Sequence, residues 1–151
     1  MPSILDPNLK SVPASQQIQP SLRTVLQVEG NPANAGIVEQ LTARRSDLKL
    51  LTAINGYQGI QMACTNKPDI ILINMKSPGI SGLAAMVILR ANPATAHIPV
   101  IALSSNAYPR EIKECLKAGF FWYLTKPFHL NELMDLIDAA LRFVAETRPT
   151  R

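Results

Sequence analysis

Four side chains with chemistry to offer stand directly after short apolar runs: Glu29 after VLQV, Asn74 after IILI, Ser104 after VIAL and Lys126 after YLT. They are an acid, a neutral amide, a hydroxyl and an amine. Asn74 is the odd member. Its nitrogen electrons are delocalised into the carbonyl, so it can donate and accept hydrogen bonds but is neither an anionic nucleophile nor a base. Gly30, next to Glu29, contributes no side chain at all. Cys64 and Cys115 lie inside helical patterns without metal-ligand spacing and read as small buried or half-buried residues. His97 and His129 read as surface or loop residues.

These groups act together only if the chain brings the ends of its apolar runs to one place. Short β-branched runs at 24–28, 48–53, 69–73, 99–103 and 121–124 alternate with longer segments of helical spacing, which predicts five strands and five helices. Pro32 or Asn34 opens the first helix, which is expected to bury Ile37, Val38 and Leu41; Ser81 caps the third. Pro109 starts the fourth and Gly119 closes it. The last, from Asn131 to about Glu146, carries Leu133, Leu136, Ile137, Ala140, Leu141 and Val144 as one stripe. Strand and helix alternating through short connections call for an α/β fold with right-handed crossovers and a parallel sheet covered on both faces. Sites in such sheets form beyond the carboxyl ends of the strands. With strand order 2-1-3-4-5, the ends of strands one, three, four and five converge.

Composition sets the bounds. The 151 residues are 47% hydrophobic and 17% charged, enough for one sizeable core. Residues 1–22, with Pro2, Pro7, Pro13 and Pro20 among polar residues, read as a flexible N-terminal arm. The domain is expected over 23–143, and 144–151 as a C-terminal tail. No apolar run approaches a membrane span, and the N-terminus lacks the order of a secretory signal, so a cytoplasmic location is expected. The net charge is +4, but five basic residues (Lys10, Arg23, Arg142, Arg148, Arg151) and two acidic ones (Asp6, Glu146) lie outside 24–141, which leaves +1 on the core. No basic stripe interleaved with aromatics accompanies them, so no nucleic-acid partner is expected.

The stretches VLQVEGNPAN (25–34), KPDIILINMKSPGISGL (67–83), ATAHIPVIALSSNA (94–107) and AGFFWYLTKPF (118–128) together resemble the receiver domain of bacterial response regulators, the CheY-like family. The resemblance covers roughly 23–143 and implies a flavodoxin-like, doubly wound (βα)5 fold. It places Glu29 on the first of two adjacent acids, Gly30 on the second, metal-contacting acid, and Asn74 on the phosphate-accepting aspartate. Ser104 falls on the hydroxyl that holds a phosphoryl oxygen, Tyr123 on the switching aromatic, and Lys126 with Pro127 on the lysine and its cis-proline. Two of the three acids are absent. Phosphoryl transfer from a phosphohistidine needs an anionic oxygen nucleophile and a cation to screen it, and Mg²⁺ is held by carboxylates plus phosphate oxygens. The expectation is a degenerate receiver with no cofactor, weak or absent Mg²⁺ binding and no enzymatic activity. In its pocket Asn74 donates to Glu29 and accepts from Lys126 or Ser104.

Such a domain would act by protein–protein contact in a two-component or phosphorelay pathway, with a sensor histidine kinase or another response regulator as partner. Trp122, where the family usually carries a polar residue, and Val87, on a third helix with almost no polar face, are the expected contact residues. A homodimer through the fourth helix, fifth strand and fifth helix is the other expected assembly. The competing reading is an atypical phosphoacceptor, using Ser104 or Asn74 after deamidation. A small Mg²⁺-dependent hydrolase would need an aspartate nucleophile, which is missing here.

Overall fold

The computed structural model describes residues 22–147. The arm expected over 1–22 and the end of the tail therefore lie outside the described residues, apart from Leu22 and 144–147. Five strands, β1 (Arg23–Val28), β2 (Leu48–Ala53), β3 (Ile70–Asn74), β4 (Val100–Ser104) and β5 (Trp122–Thr125), alternate with five helices. These are α1 (Pro32–Ala43), α2 (Gly56–Asn66), α3 (Gly82–Ala91), α4 (Pro109–Ala118) and α5 (Leu130–Thr147). The sheet is parallel with order β2-β1-β3-β4-β5, the order on which convergence of the strand ends depends. The register sets Asn74 beside Leu103 and Ser104 beside Thr125, so the ends of β3, β4 and β5 finish nearly level.

The period-two alternation of the strands divides the core. Leu26, Val28, Ile71, Ile73, Val100 and Ala102 pack toward α2, α3 and α4, while Val25, Ile70, Leu72, Ile101 and Leu103 pack toward α1 and α5. Helix starts follow the expected chemistry. Asn31 caps α1 through Ala33 N–H with Pro32 in the first turn, and the Ser81 hydroxyl accepts from Ala84 N–H at 3.1 Å. Gly119, at φ +108, closes α4 in the left-handed region that favours glycine.

Two expectations need correction, for Ile37 and for the start of the tail. Ile37 is 43% exposed, because the face of α1 that meets the sheet is carried by Val38, Leu41 and Ala35. On α3, Met86 and Leu89 are buried, while Val87, the expected contact residue, faces outward with Ile88. Helix α5 runs through Thr147 with Val144 still buried, so the tail cannot begin at 144. Its contacts also include an ion-pair bridge, in which Arg45 holds both Asp47 (2.7 Å) and Asp138 (3.1 Å) and ties the entry of β2 to α5.

Candidate functional site

Beyond the carboxyl ends of β1 and β3, Glu29 and Asn74 face each other. The Asn74 Nδ2 donates to both Glu29 carboxylate oxygens, at 2.9 Å to Oε1 and 3.1 Å to Oε2. The backbone N–H of Asn31 donates to Oε2 at 3.1 Å, and the Lys126 ammonium lies 3.8 Å from Oε1. Glu29, only 8% exposed, is therefore a buried carboxylate offset by an amide, a backbone N–H and one more distant cation. The acceptor side of Asn74 differs from expectation. Its Oδ1 takes the backbone N–H of Lys76 at 3.1 Å rather than Lys126 or Ser104, because the chain turns back over the strand end, with Ser77 N–H and Oγ both donating to the Asn74 carbonyl. Both ends of the amide are thus committed.

Gly30 is not an idle vacancy. A Cβ there would stand 2.8 Å from the Ile54 carbonyl oxygen and 3.3 Å from Pro78 Cδ. The β2–α2 and β3–α3 connections have closed over the position, and only a residue without a side chain fits. The donor set does not suit a hard divalent cation: Glu29 is the one carboxylate lining the cleft, and no cluster of three metal-binding side chains occurs among the described residues.

Ser104 and Tyr123 belong to a neighbouring environment. Ser104, 3% exposed, points under the β4–α4 loop, where its Oγ accepts from Asn106 N–H at 3.1 Å. The Tyr123 hydroxyl donates to the Asn106 carbonyl, so β4 and β5 both hold the same loop residue. Burial pushes the Tyr123 phenol above its usual range, opposed in part by the Ser104 hydroxyl. On β4's side the residue that does line the cleft is Ser105, which joins Ser77 and Lys76 there. Strand phase could have flagged this, since Leu103 and Ser105 share one face and Ala102 and Ser104 the other. Lys126–Pro127 is cis, as the resemblance implied. Trp122 is 50% and Val87 65% exposed, on separate faces from the cleft, and His97 and His129 are exposed.

Residues 25–138 match the family profile of the response regulator receiver domain. Relatives include the polar-differentiation response regulator DivK of Brucella anthropi, 27% identical over 119 residues covering 79% of this chain and 96% of that protein. The nitrate/nitrite response regulator NarL of Escherichia coli is 30% identical over 78% of this chain and 54% of its own length. The sensor histidine kinase GacS of Pseudomonas protegens is 28% identical over 75% of this chain but only 12% of the kinase. Several relatives are thus much longer than the stretch they share with this chain. Among solved structures, the receiver domain of a sensor histidine kinase from Pseudomonas aeruginosa, with magnesium coordinated in its active-site cleft, superposes with TM-score 0.73 and 30% identity over 81% of this chain and 99% of that one. A receiver domain protein from Clostridium thermocellum gives TM-score 0.76 at 23% identity, over 83% and 98%. No helix among the described residues is long and apolar enough to cross a membrane. With strand order and family profile in agreement, the chain belongs to the response regulator receiver domain family of two-component signalling.

Proposed function

We propose that this receiver domain works by protein–protein contact without accepting phosphate, and that its cleft holds Mg²⁺ weakly or not at all. One observation carries the reading. The residue at the phosphoacceptor position is an amide whose nitrogen is spent on both oxygens of Glu29 and whose oxygen is spent on Lys76 N–H. No lone pair of sufficient basicity remains there to attack phosphorus. The atypical-acceptor reading gains nothing from the geometry, since Ser104 is 3% exposed and lies off the cleft. The test is phosphate incorporation by intact mass after incubation with acetyl phosphate and Mg²⁺, and separately with autophosphorylated sensor kinase. The expected result is no adduct of about 80 Da, the mass of one phosphoryl group; a stoichiometric adduct refutes the reading.

A sensor histidine kinase, another response regulator or a second copy of this chain would be the partner. Support comes from the surface formed by α4, β5 and α5, where Trp122 is exposed beside a strand edge and Leu116 and Phe143 are 39% and 46% exposed. Half-exposed aromatic and aliphatic side chains of this kind anchor interfaces. Val87 and Ile88 on α3 form a second, smaller apolar area.

A further inference from the structure

A second cavity of about 360 Å³ lies between α1 and the connection after β5, within the size range of small-molecule sites. Gln27, Ile37, Val38, Leu72, Leu103 and Phe128 line most of it, so it is chiefly apolar. Glu29, Asn34, Ser105 and Lys126 line both this cavity and the cleft, which places them on the boundary between the two. Gln27 is the unexpected member. It sits near the end of β1 beside Thr52, on a face that is otherwise mostly aliphatic, and is 2% exposed. Its Nε2 donates to the Ala35 carbonyl at 3.4 Å and to Thr52 Oγ1 at 3.2 Å. The Ala35 carbonyl can only accept, which fixes which end of the amide is nitrogen. The Gln27 Oε1 then accepts no hydrogen bond among the described residues, and a buried acceptor without a donor is costly.

We propose that this cavity binds a neutral, mainly apolar small molecule that donates an O–H or N–H to Gln27 Oε1 and presents a carbonyl-type acceptor to the Lys126 ammonium. Neutrality follows from the boundary charges, because Glu29 and Lys126 cancel and either an anion or a cation would meet one repulsive partner. The acceptor follows from Lys126. Its ammonium reaches Glu29 only at 3.8 Å, beyond hydrogen-bonding distance, and keeps donors to spare. An apolar body follows from the lining. This site goes beyond protein contact and does not depend on whether the cleft accepts phosphate.

The probe is 4-hydroxyacetophenone, which carries a phenol donor and a carbonyl acceptor on a flat apolar ring, titrated into the full-length ¹⁵N-labelled chain. The control is 4-methoxyacetophenone, which lacks the donor. Saturable amide shifts are expected at residues 34–38, 103–105 and 126–128, with half-saturation below about 2 mM. The methoxy compound should bind about fivefold more weakly, the scale of one hydrogen bond to a buried acceptor. In Gln27→Leu that preference should vanish while the shifts stay at the same residues. Ile37→Trp, at a half-exposed position, should fill the cavity and abolish binding while the rest of the spectrum is unchanged, which covers the case in which Gln27→Leu fails to fold. No saturation up to about 10 mM, shifts confined to another face, equal affinity of the two compounds for the parent, or retained binding in Ile37→Trp would each overturn the proposal.

Discussion

Under the proposed function, replacing Asn74 by aspartate would supply the missing nucleophile, and the structure sets its cost. The amide nitrogen lies 2.9 and 3.1 Å from the two Glu29 oxygens. Aspartate turns that donor into an acceptor, removing hydrogen bonds to a charged group worth about 1.5–3 kcal/mol. It also sets two carboxylates side by side, a repulsion of about 4 kcal/mol at 4 Å and an effective dielectric constant near 20. Lys126, 3.8 Å from Glu29, and partial rotation of the new side chain offset much of this. A net loss of about 2–3 kcal/mol at neutral pH is expected, read as a lower urea midpoint with unchanged slope. The crowded pair holds a proton more tightly folded than unfolded, so the folded variant binds more protons and its stability relative to the parent rises as pH falls from 7 toward 4. A midpoint at pH 7 equal to the parent's would refute the claim that the Asn74–Glu29 contact stabilises the cleft.

The same variant probes function. Asn74→Asp should remain a slow substrate for acetyl phosphate, because position 30 still supplies no carboxylate to seat the metal beside the crowded pair. Adding Gly30→Asp supplies that ligand, but its Cβ would begin 2.8 Å from the Ile54 carbonyl oxygen, so the β2–α2 connection must move first. The metal-free double variant should therefore be less stable than the single one. Mg²⁺ should recover part of the loss by binding only the folded form. Phosphorylation of the double variant should exceed the single by more than additive effects allow, since nucleophile and metal act as one unit. If the single variant is phosphorylated as fast as the double one, position 30 is no lesion.

Three further outcomes are expected. Titration of the parent with Mg²⁺ should give no saturable amide shifts below about 10 mM, and sub-millimolar saturation would show that Glu29 alone suffices. Arg45→Ala should cost about 1 kcal/mol at pH 7, discounted for partial exposure of the bridge. The Arg45 guanidinium holds Asp47 below its ordinary value, so that stabilisation is present above the unfolded carboxylate pKa and lost as pH falls through the folded one. A parent–variant difference that stays constant from pH 7 to 3 would contradict this. Trp122→Ala should weaken self-association or partner binding by about 2 kcal/mol in sedimentation or titration experiments; no change would remove Trp122 as an anchor.

The strands were legible in the sequence because each is a compact β-branched run, and every expected run falls within one residue of the observed strand at each end. The parallel sheet followed from the alternation of strand and helix, whereas no spacing encodes the order of its strands. What could not be read were contacts fixed by loop paths. The Ile54 carbonyl and Pro78 above Gly30 come from two connections distant in sequence, and no local pattern encodes their approach. The partner of Asn74 Oδ1 was missed for the opposite reason. It is a main-chain N–H two residues away, available to any Asn at a strand end and marked by no side chain in the sequence. Val87 and Ile88 mark a third limit, since hydropathy alone does not say which apolar face of α3 the sheet takes.

Under the proposed function, the residues at positions 30 and 74 are physically coupled. With glycine at position 30, the Ile54 carbonyl and Pro78 can approach the start of α1, and a carboxylate cannot be reinserted without displacing backbone. With asparagine at position 74, the buried Glu29 is neutralised by hydrogen bonds and one lysine, so it needs no metal to offset a second and third acid. Reverting either residue alone meets a penalty that the other maintains. In Asn74→Asp the new carboxylate would face Glu29 with only Lys126 to offset the pair, and in Gly30→Asp the new side chain would strike the closed loops with no metal to draw it in. Under the proposed function, a cleft satisfied by its own residues offers a phosphoryl group no entry point. Tyr123 and Ser104 already hold the β4–α4 loop through Asn106. Under the proposed function, any change of state in this domain must therefore begin at its surfaces or in the apolar cavity beside Lys126, rather than at Asn74.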